Sequence, residues 1–202
     1  MTGNAVSGGY YGILVGQSHR SIVSGNTVSN LRERGISLGE SGATTVTGNT
    51  VTARQWGIRL ESNPDSVLTS NTVSALYGMY LISSARSTVK ENTVSDGSQG
   101  IALVGSENSA VNGNVVLAPY FCQSGVSLFS SGGSVVIGER VGLRRRILHR
   151  HFAADHPRLR GLCDNDGIVH RELDRPADRR RRRGVVRIEV GELDRAGVLA
   201  DG

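Results

Sequence analysis

Asn49-Thr50-Val51-Thr52-Ala53-Arg54-Gln55-Trp56-Gly57-Ile58-Arg59-Leu60, closed by Leu68 just before Asn71, is one unit of an internal repeat. An Asn followed two residues on by an apolar residue recurs at Asn4, Asn26, Asn49, Asn71, Asn92 and Asn114, at intervals of 22, 23, 22, 21 and 22. A second marker, Gly-apolar-x-apolar, keeps step seven to eleven residues behind each Asn. It reads Gly12-Ile13-Leu14-Val15, Gly35-Ile36-Ser37-Leu38, Gly57-Ile58-Arg59-Leu60, Gly78-Met79-Tyr80-Leu81, Gly100-Ile101-Ala102-Leu103 and Gly125-Val126-Ser127-Leu128. Val23, Val46, Leu68, Val89, Val111 and Val136 close the units.

Each unit is three short segments of period two, rich in Val, Ile and Thr and parted by Gly, Ser and Asn turn chemistry, which is a strand pattern and not a helical one. A segment of three or four residues cannot bury its apolar side alone. Stacking identical turns about 4.8 Å apart pairs each strand with its copies above and below and places Val28, Val51, Val73, Val94 and Val116 inside. The Asn column has a role of its own, because side-chain amides stacked in register donate and accept along the coil axis. None of the six Asn begins an Asn-x-Ser/Thr sequon, which excludes glycosylation as their purpose.

On these two sets of six matches, residues 1 to about 141 resemble the right-handed parallel β-helix repeats of the pectate-lyase-like superfamily. The likeness is to its short-repeat branch of carbohydrate-binding and sugar-hydrolase modules, which includes the NosD-like proteins of copper-site maturation. The resemblance implies an all-β, right-handed parallel β-helix of six to seven coils of about 22 residues and, for a chain truncated at its N-terminus, a location outside the cytoplasm; the residues themselves name no compartment. The superfamily holds lyases, epimerases, glycoside hydrolases and non-catalytic binding proteins, so fold alone does not choose an activity.

Residues 143–202 are a different kind of sequence. The first 142 residues hold 34 Ser plus Thr and eight basic against eight acidic side chains; the last 60 hold no Ser or Thr and 15 Arg against ten acids, which is the whole formal charge of +5. Where the next Asn-Thr-Val is due, the chain supplies Glu139-Arg140-Val141, and there the repeat is expected to stop before an irregular Arg-rich tail. An Arg arm for nucleic acid is one reading, but ten acids dilute its charge and no recognition helix, aromatic platform or zinc spacing accompanies it. A small cap using Val185 to Val190 as a strand is another. The favoured reading is translation out of frame from GC-rich coding sequence, which removes repeat and Ser/Thr together; a repeat that starts at Asn4 with nothing to cover its first coil adds the expectation of a fragment.

No run approaches the roughly 18 to 20 apolar residues of a membrane span, and Met1-Thr2-Gly3-Asn4 lacks the start of a secretory signal. Cys122 and Cys163 are too few for a disulfide framework and read as free thiols. His19 stands alone and reads as a turn residue, so no metal ligand set is expected.

Overlaying the coils shows which side chains face outward beside the Gly-apolar-x-apolar strand. Just before the Gly come Tyr11, Arg34, Trp56, Tyr77, Gln99 and Ser124; at x come Leu14, Ser37, Arg59, Tyr80, Ala102 and Ser127. The only Trp and three of the five Tyr share these two columns, with Glu33, Gln55 and Glu61 alongside. Flat rings beside Arg, Glu and Gln suit a polysaccharide or oligosaccharide, whose C–H faces stack on aromatics while hydroxyls meet the polar groups. Tyr11, Arg34, Trp56, Arg59, Tyr77 and Tyr80 are therefore the candidate substrate-binding residues; the competing reading is that the rings merely stack on one another and protect the sheet. The expected function is a carbohydrate-binding or structural module without catalysis and without a cofactor. The alternative is a polysaccharide lyase, C5-epimerase or glycoside hydrolase, with Arg59 as carboxylate clamp, Tyr80 as base and Glu61 as orienting partner, and Ca²⁺ entering only in the lyase case. The Asp-Pro-His-Asp signature of alginate epimerases and the Asn-Thr-Asp, Asp-Asp and Gly-His-Gly motifs of the polygalacturonase relatives are absent, and Asp65 and Asp96 read as turn residues. Open coil ends predict self-association.

Overall fold

The structure, a computed structural model, describes residues 1–118, 124–143, 168–171 and 188–191. Among them every regular element is a strand, and each coil supplies three. In the third coil these are Thr50–Ala53, Trp56–Glu61 and Val67–Thr69. Each pairs in parallel with its copies one coil before and one coil after, so Val28, Val51, Val73 and Val94 are register partners along one face. The Gly-bearing strands form a seven-stranded sheet, from Tyr11–Gly16 to Phe129 and beyond it to Ile168–Arg171. The other two faces join at the end of the stack through the long strand Val135–Leu143, whose first part pairs with Ala110–Asn112 and whose second part pairs with Val115–Ala118. The chain is a right-handed parallel β-helix of about six turns.

Glu139-Arg140-Val141 does not end the pattern. Arg140 and Val141 are the register partners of Val115 and Val116, so the triplet occupies the place of a seventh Asn-x-Val. Beyond it, Ile188–Gly191 pairs with Val136 to Arg140, and Ile168–Arg171 with Val126–Phe129, giving the C-terminal coil two further strands. Cys122, Cys163 and the two Arg runs of the tail, 144–146 and 179–183, lie outside the described residues.

The core is four apolar columns, one of them Val28, Val51, Val73, Val94 and Val116. Val23, Val46, Leu68, Val89, Val111 and Val136 are completely buried, as are Ile36, Ile58, Met79 and Ile101 with Leu38, Leu60, Leu81 and Leu103 on the Gly-bearing face. Each such side chain removed from water contributes about 1.5–3 kcal/mol. The glycine of the marker is set by space: Gly and the apolar residue after it both turn inward at a corner. A Cβ on Gly57 would collide with the Val73 Cγ1 methyl and would stand 2.6 Å from the Gly78 carbonyl oxygen.

Corners bend backbone N–H groups out of the sheets, and buried donors need partners. Three side-chain columns provide them. The first is the expected Asn ladder: Asn4, Asn26, Asn49, Asn71 and Asn92 each donate Nδ2 to the Oδ1 of the next Asn at 2.8–3.0 Å, and each also donates its backbone N–H to that same oxygen. The second, not read from the sequence, runs Ser41, Asn63, Ser84, Ser106, Ser131, each receiving the backbone N–H of its predecessor, with Ser18 N–H donating to Ser41. The third runs Ser66, Ser87, Ser109, Ser134 from the Thr44 N–H in the same manner. All members from Ser41 and Thr44 onward are buried, which gives the Ser/Thr richness of the coils its structural purpose.

Asn71→Ala removes the amide that donates to Val46 O, Thr69 O and Asn92 Oδ1 and strands the Asn49 donors. With about 1–3 kcal/mol per stranded buried group, the expected loss in urea unfolding is about 3 kcal/mol or more. Asn71→Ser, which keeps an acceptor of the kind used in the other ladders, should lose less.

Candidate functional site

The columns anticipated outside the Gly-bearing sheet form; they are open in the first four coils and, at half-buried Gln99, in the fifth. Leu14 and Tyr11 are well exposed, Arg34, Trp56, Arg59, Tyr77 and Tyr80 are half-buried, whereas Ser37, Ala102, Ser124 and Ser127 are buried. At x the column closes after Tyr80, where Ala102 and Ser127 are buried. Ser127 Oγ has no hydrogen-bond partner among the described residues.

Parallel register brings Trp56 and Tyr77 to the same height in adjacent coils, and their rings stack with centroids 4.4 Å apart and planes at 27°. Tyr80 meets both edge-on, at 5.1 Å from Trp56 and 6.4 Å from Tyr77. The Arg59 guanidinium lies 5.9 Å from the Trp56 ring and 2.7 Å from the Glu61 carboxylate. Five residues expected to act together thus touch, and Trp56 and Tyr77 each cover one face of the other's ring.

A second group lies on the two preceding coils. Arg34 stands over the Tyr11 ring at 5.5 Å, and Arg32 over the Tyr10 ring at the same distance. Tyr10 and Arg32 were not singled out by the overlay, since Tyr10 precedes the marker by two positions; at 58% exposure Tyr10 offers the most open ring here. Arg34 Nε is 3.3 Å from a Glu33 carboxylate oxygen, yet off the line of a hydrogen bond, so this buried N–H has no partner among the described residues. The hydrogen bond and charge of Glu33 push the Tyr11 hydroxyl above its ordinary pKa.

At the other ends of the same strands the sheet is bare. Gly16 and Gly39 are successive register partners of Glu61, and with no side chains there they leave a shallow groove of about 460 Å³ lined by Gly16, Gln17, Gly39, Glu40, Glu61 and Ser62. Gln17 Nε2 donates to Glu40 Oε2 at 3.2 Å across it. The signal for this groove is in the sequence, as glycine in place of Glu61 in two coils, but it is visible only once the register is known.

Asp65 and Asp96 have positive φ of 59° and 63°, as turn residues do. Asp65 is held in a two-bond pair by Arg86 Nε and NH2, both at 2.7 Å, and this keeps its carboxyl below the usual range. It is an ion pair on a turn, remote from the columns above.

Residues 1–118 match the family model described as periplasmic copper-binding protein (NosD). The chain belongs to the NosD family. No curated protein and no solved structure matches it. Copper takes imidazole, thiolate and thioether ligands, and the described residues do not assemble them. Met79 is completely buried in the core, His19 is exposed on a turn, and among the described residues no three His, Cys, Asp or Glu side chains come together. Among the described residues no helix is long and apolar enough to cross a membrane.

Glu33→Gln should bring the Tyr11 hydroxyl back toward the ordinary tyrosine value. An ultraviolet pH titration in which the variant and the parent ionise identically would contradict the contact described between them.

Proposed function

We propose that this NosD-family β-helix is a module of the extracytoplasmic space that holds a glycan against coils one to four. The observation that carries the reading is the contact cluster of Trp56, Tyr77, Tyr80, Arg59 and Glu61 beside the glycine-floored groove. The half-buried rings of Trp56, Tyr77 and Tyr80 and the open rings of Tyr10 and Tyr11 supply apolar surface for sugar C–H groups, and Gln17, Glu40, Glu61 and Ser62 supply hydrogen-bonding groups for hydroxyls. Arg59 and Glu61 neutralise each other, which suits a rim that orients a ligand better than it suits a clamp for a substrate carboxylate. The family description as periplasmic supports the compartment.

The test is a panel of polysaccharides offered to the full chain and to a Trp56→Ala/Tyr80→Ala variant whose unfolding matches the parent. Retention that weakens about tenfold or more in the variant, as loss of two aromatic contacts worth about 1 kcal/mol each predicts, supports the module. Equal retention in both rejects this face. Appearance of an unsaturated, ultraviolet-absorbing sugar end would place the chain among lyases instead.

A further inference from the structure

The amide column does not end on an amide. Its seventh member is Glu139, completely buried, whose Oε1 accepts from Asn114 Nδ2 at 3.1 Å and whose Oε2 is buried with no partner among the described residues. In the preceding rungs the corresponding atom is Nδ2, a donor. It serves the carbonyl two residues back and the carbonyl of the closing apolar residue one coil earlier: Lys90 and Leu68 for Asn92, Asn112 and Val89 for Asn114. By the same register, the counterparts of those carbonyls at Glu139 are Ile137 and Val111. Facing those oxygens, a carboxylate is an acceptor among acceptors in a site without water, whereas a carboxylic acid has an O–H to give.

We propose that Glu139 carries a proton in the folded protein, stands in for the missing asparagine, and acts as a pH-sensitive latch on the last coil: losing the proton loosens Val135–Leu143 together with the strand Ile188–Gly191 paired on it. The elements packed against Val135–Leu143 are Ala110–Asn112, Val115–Ala118, Ser124–Phe129 and Ile188–Gly191. Their one titratable residue is Glu189, at the register position of Ile137. On the strand itself Arg140 is exposed, so no described cation is buried with the carboxyl. Desolvation raises the Glu139 carboxyl from 4.5 to about 7, against the opposing pull of the Asn114 hydrogen bonds. Because the folded form binds the proton more tightly than the unfolded form, the contribution is whole below about pH 4.5 and is lost as pH rises through about 7.

The latch is read by hydrogen exchange of the Arg140 N–H, which donates to Asn114 O at 2.9 Å, on the full chain between pH 5 and pH 8 and corrected for intrinsic rates. The expected result is an opening equilibrium that grows on the order of a hundredfold over this range in the parent. In Glu139→Gln, which restores the amide donor, it should stay flat and lie below the parent at pH 8. A variant with the parent's pH slope overturns the proposal. A carbon-13 carboxyl titration of the parent decides even if the variant fails to fold: a Glu139 midpoint near neutrality supports the latch, and one in the ordinary glutamate range ends it.

Discussion

The whole molecule depends on one demand: at every corner a backbone N–H leaves the sheet inside a space that water does not enter, and something must accept it. The Asn column answers this at one corner with an oxygen that takes two donors from the coil before, its backbone N–H and its amide, and the two Ser-rich columns answer it at the others. Since each acceptor belongs to the neighbouring coil, no coil is satisfied alone. The strands are only three to six residues long through most of the stack, and their apolar columns add burial to a geometry that the ladders have already fixed. The cost of an unmet buried donor, about 1–3 kcal/mol, is comparable to the gain from one buried valine, so neither device suffices without the other.

The same register that stacks the asparagines makes the candidate site. Residues 21 to 23 apart in the chain become neighbours about one strand spacing apart, and a feature of the surface is therefore a column of substitutions at one repeat position. Where that column holds Trp and Tyr, rings stack; where it holds glycine in two successive coils, a groove opens; where it holds serine or alanine, the position closes over. The face is patterned by what each coil places at a fixed phase.

This also explains what could be read from residues alone. The Asn ladder is legible because one residue type recurs at one phase and an amide can both give and accept. The two hydroxyl ladders are not, because serine is common in turns for other reasons, and because Asn63 enters the second column in place of a serine and Thr44 starts the third. Glu139 breaks the written pattern while keeping its place in space, and only the register of Arg140 and Val141 shows that the column continues through it. Outward columns were legible as columns; that Ala102 and Ser127 are buried within them depends on the size of neighbours, which period alone does not carry. The mutual stacking of Trp56 and Tyr77 follows from side-chain orientation and needed coordinates.

The ladders also determine where this chain tolerates a change of length. From each second-column member to the next inward hydroxyl position is always three residues, as from Ser41 to Thr44 or Ser131 to Ser134, and from there to the first column is always five, as from Thr44 to Asn49 or Ser134 to Glu139. From the marker glycine to the second column is always six, as from Gly35 to Ser41 or Gly125 to Ser131. All variation falls between the first column and the glycine, from seven residues between Asn71 and Gly78 to eleven between Asn114 and Gly125. One corner of the prism is thus elastic and the other two are rigid. The elastic corner leads directly into Tyr11, Arg34, Trp56 and Tyr77, so insertions and deletions can reshape the rim of the candidate face while the buried frame keeps its phase.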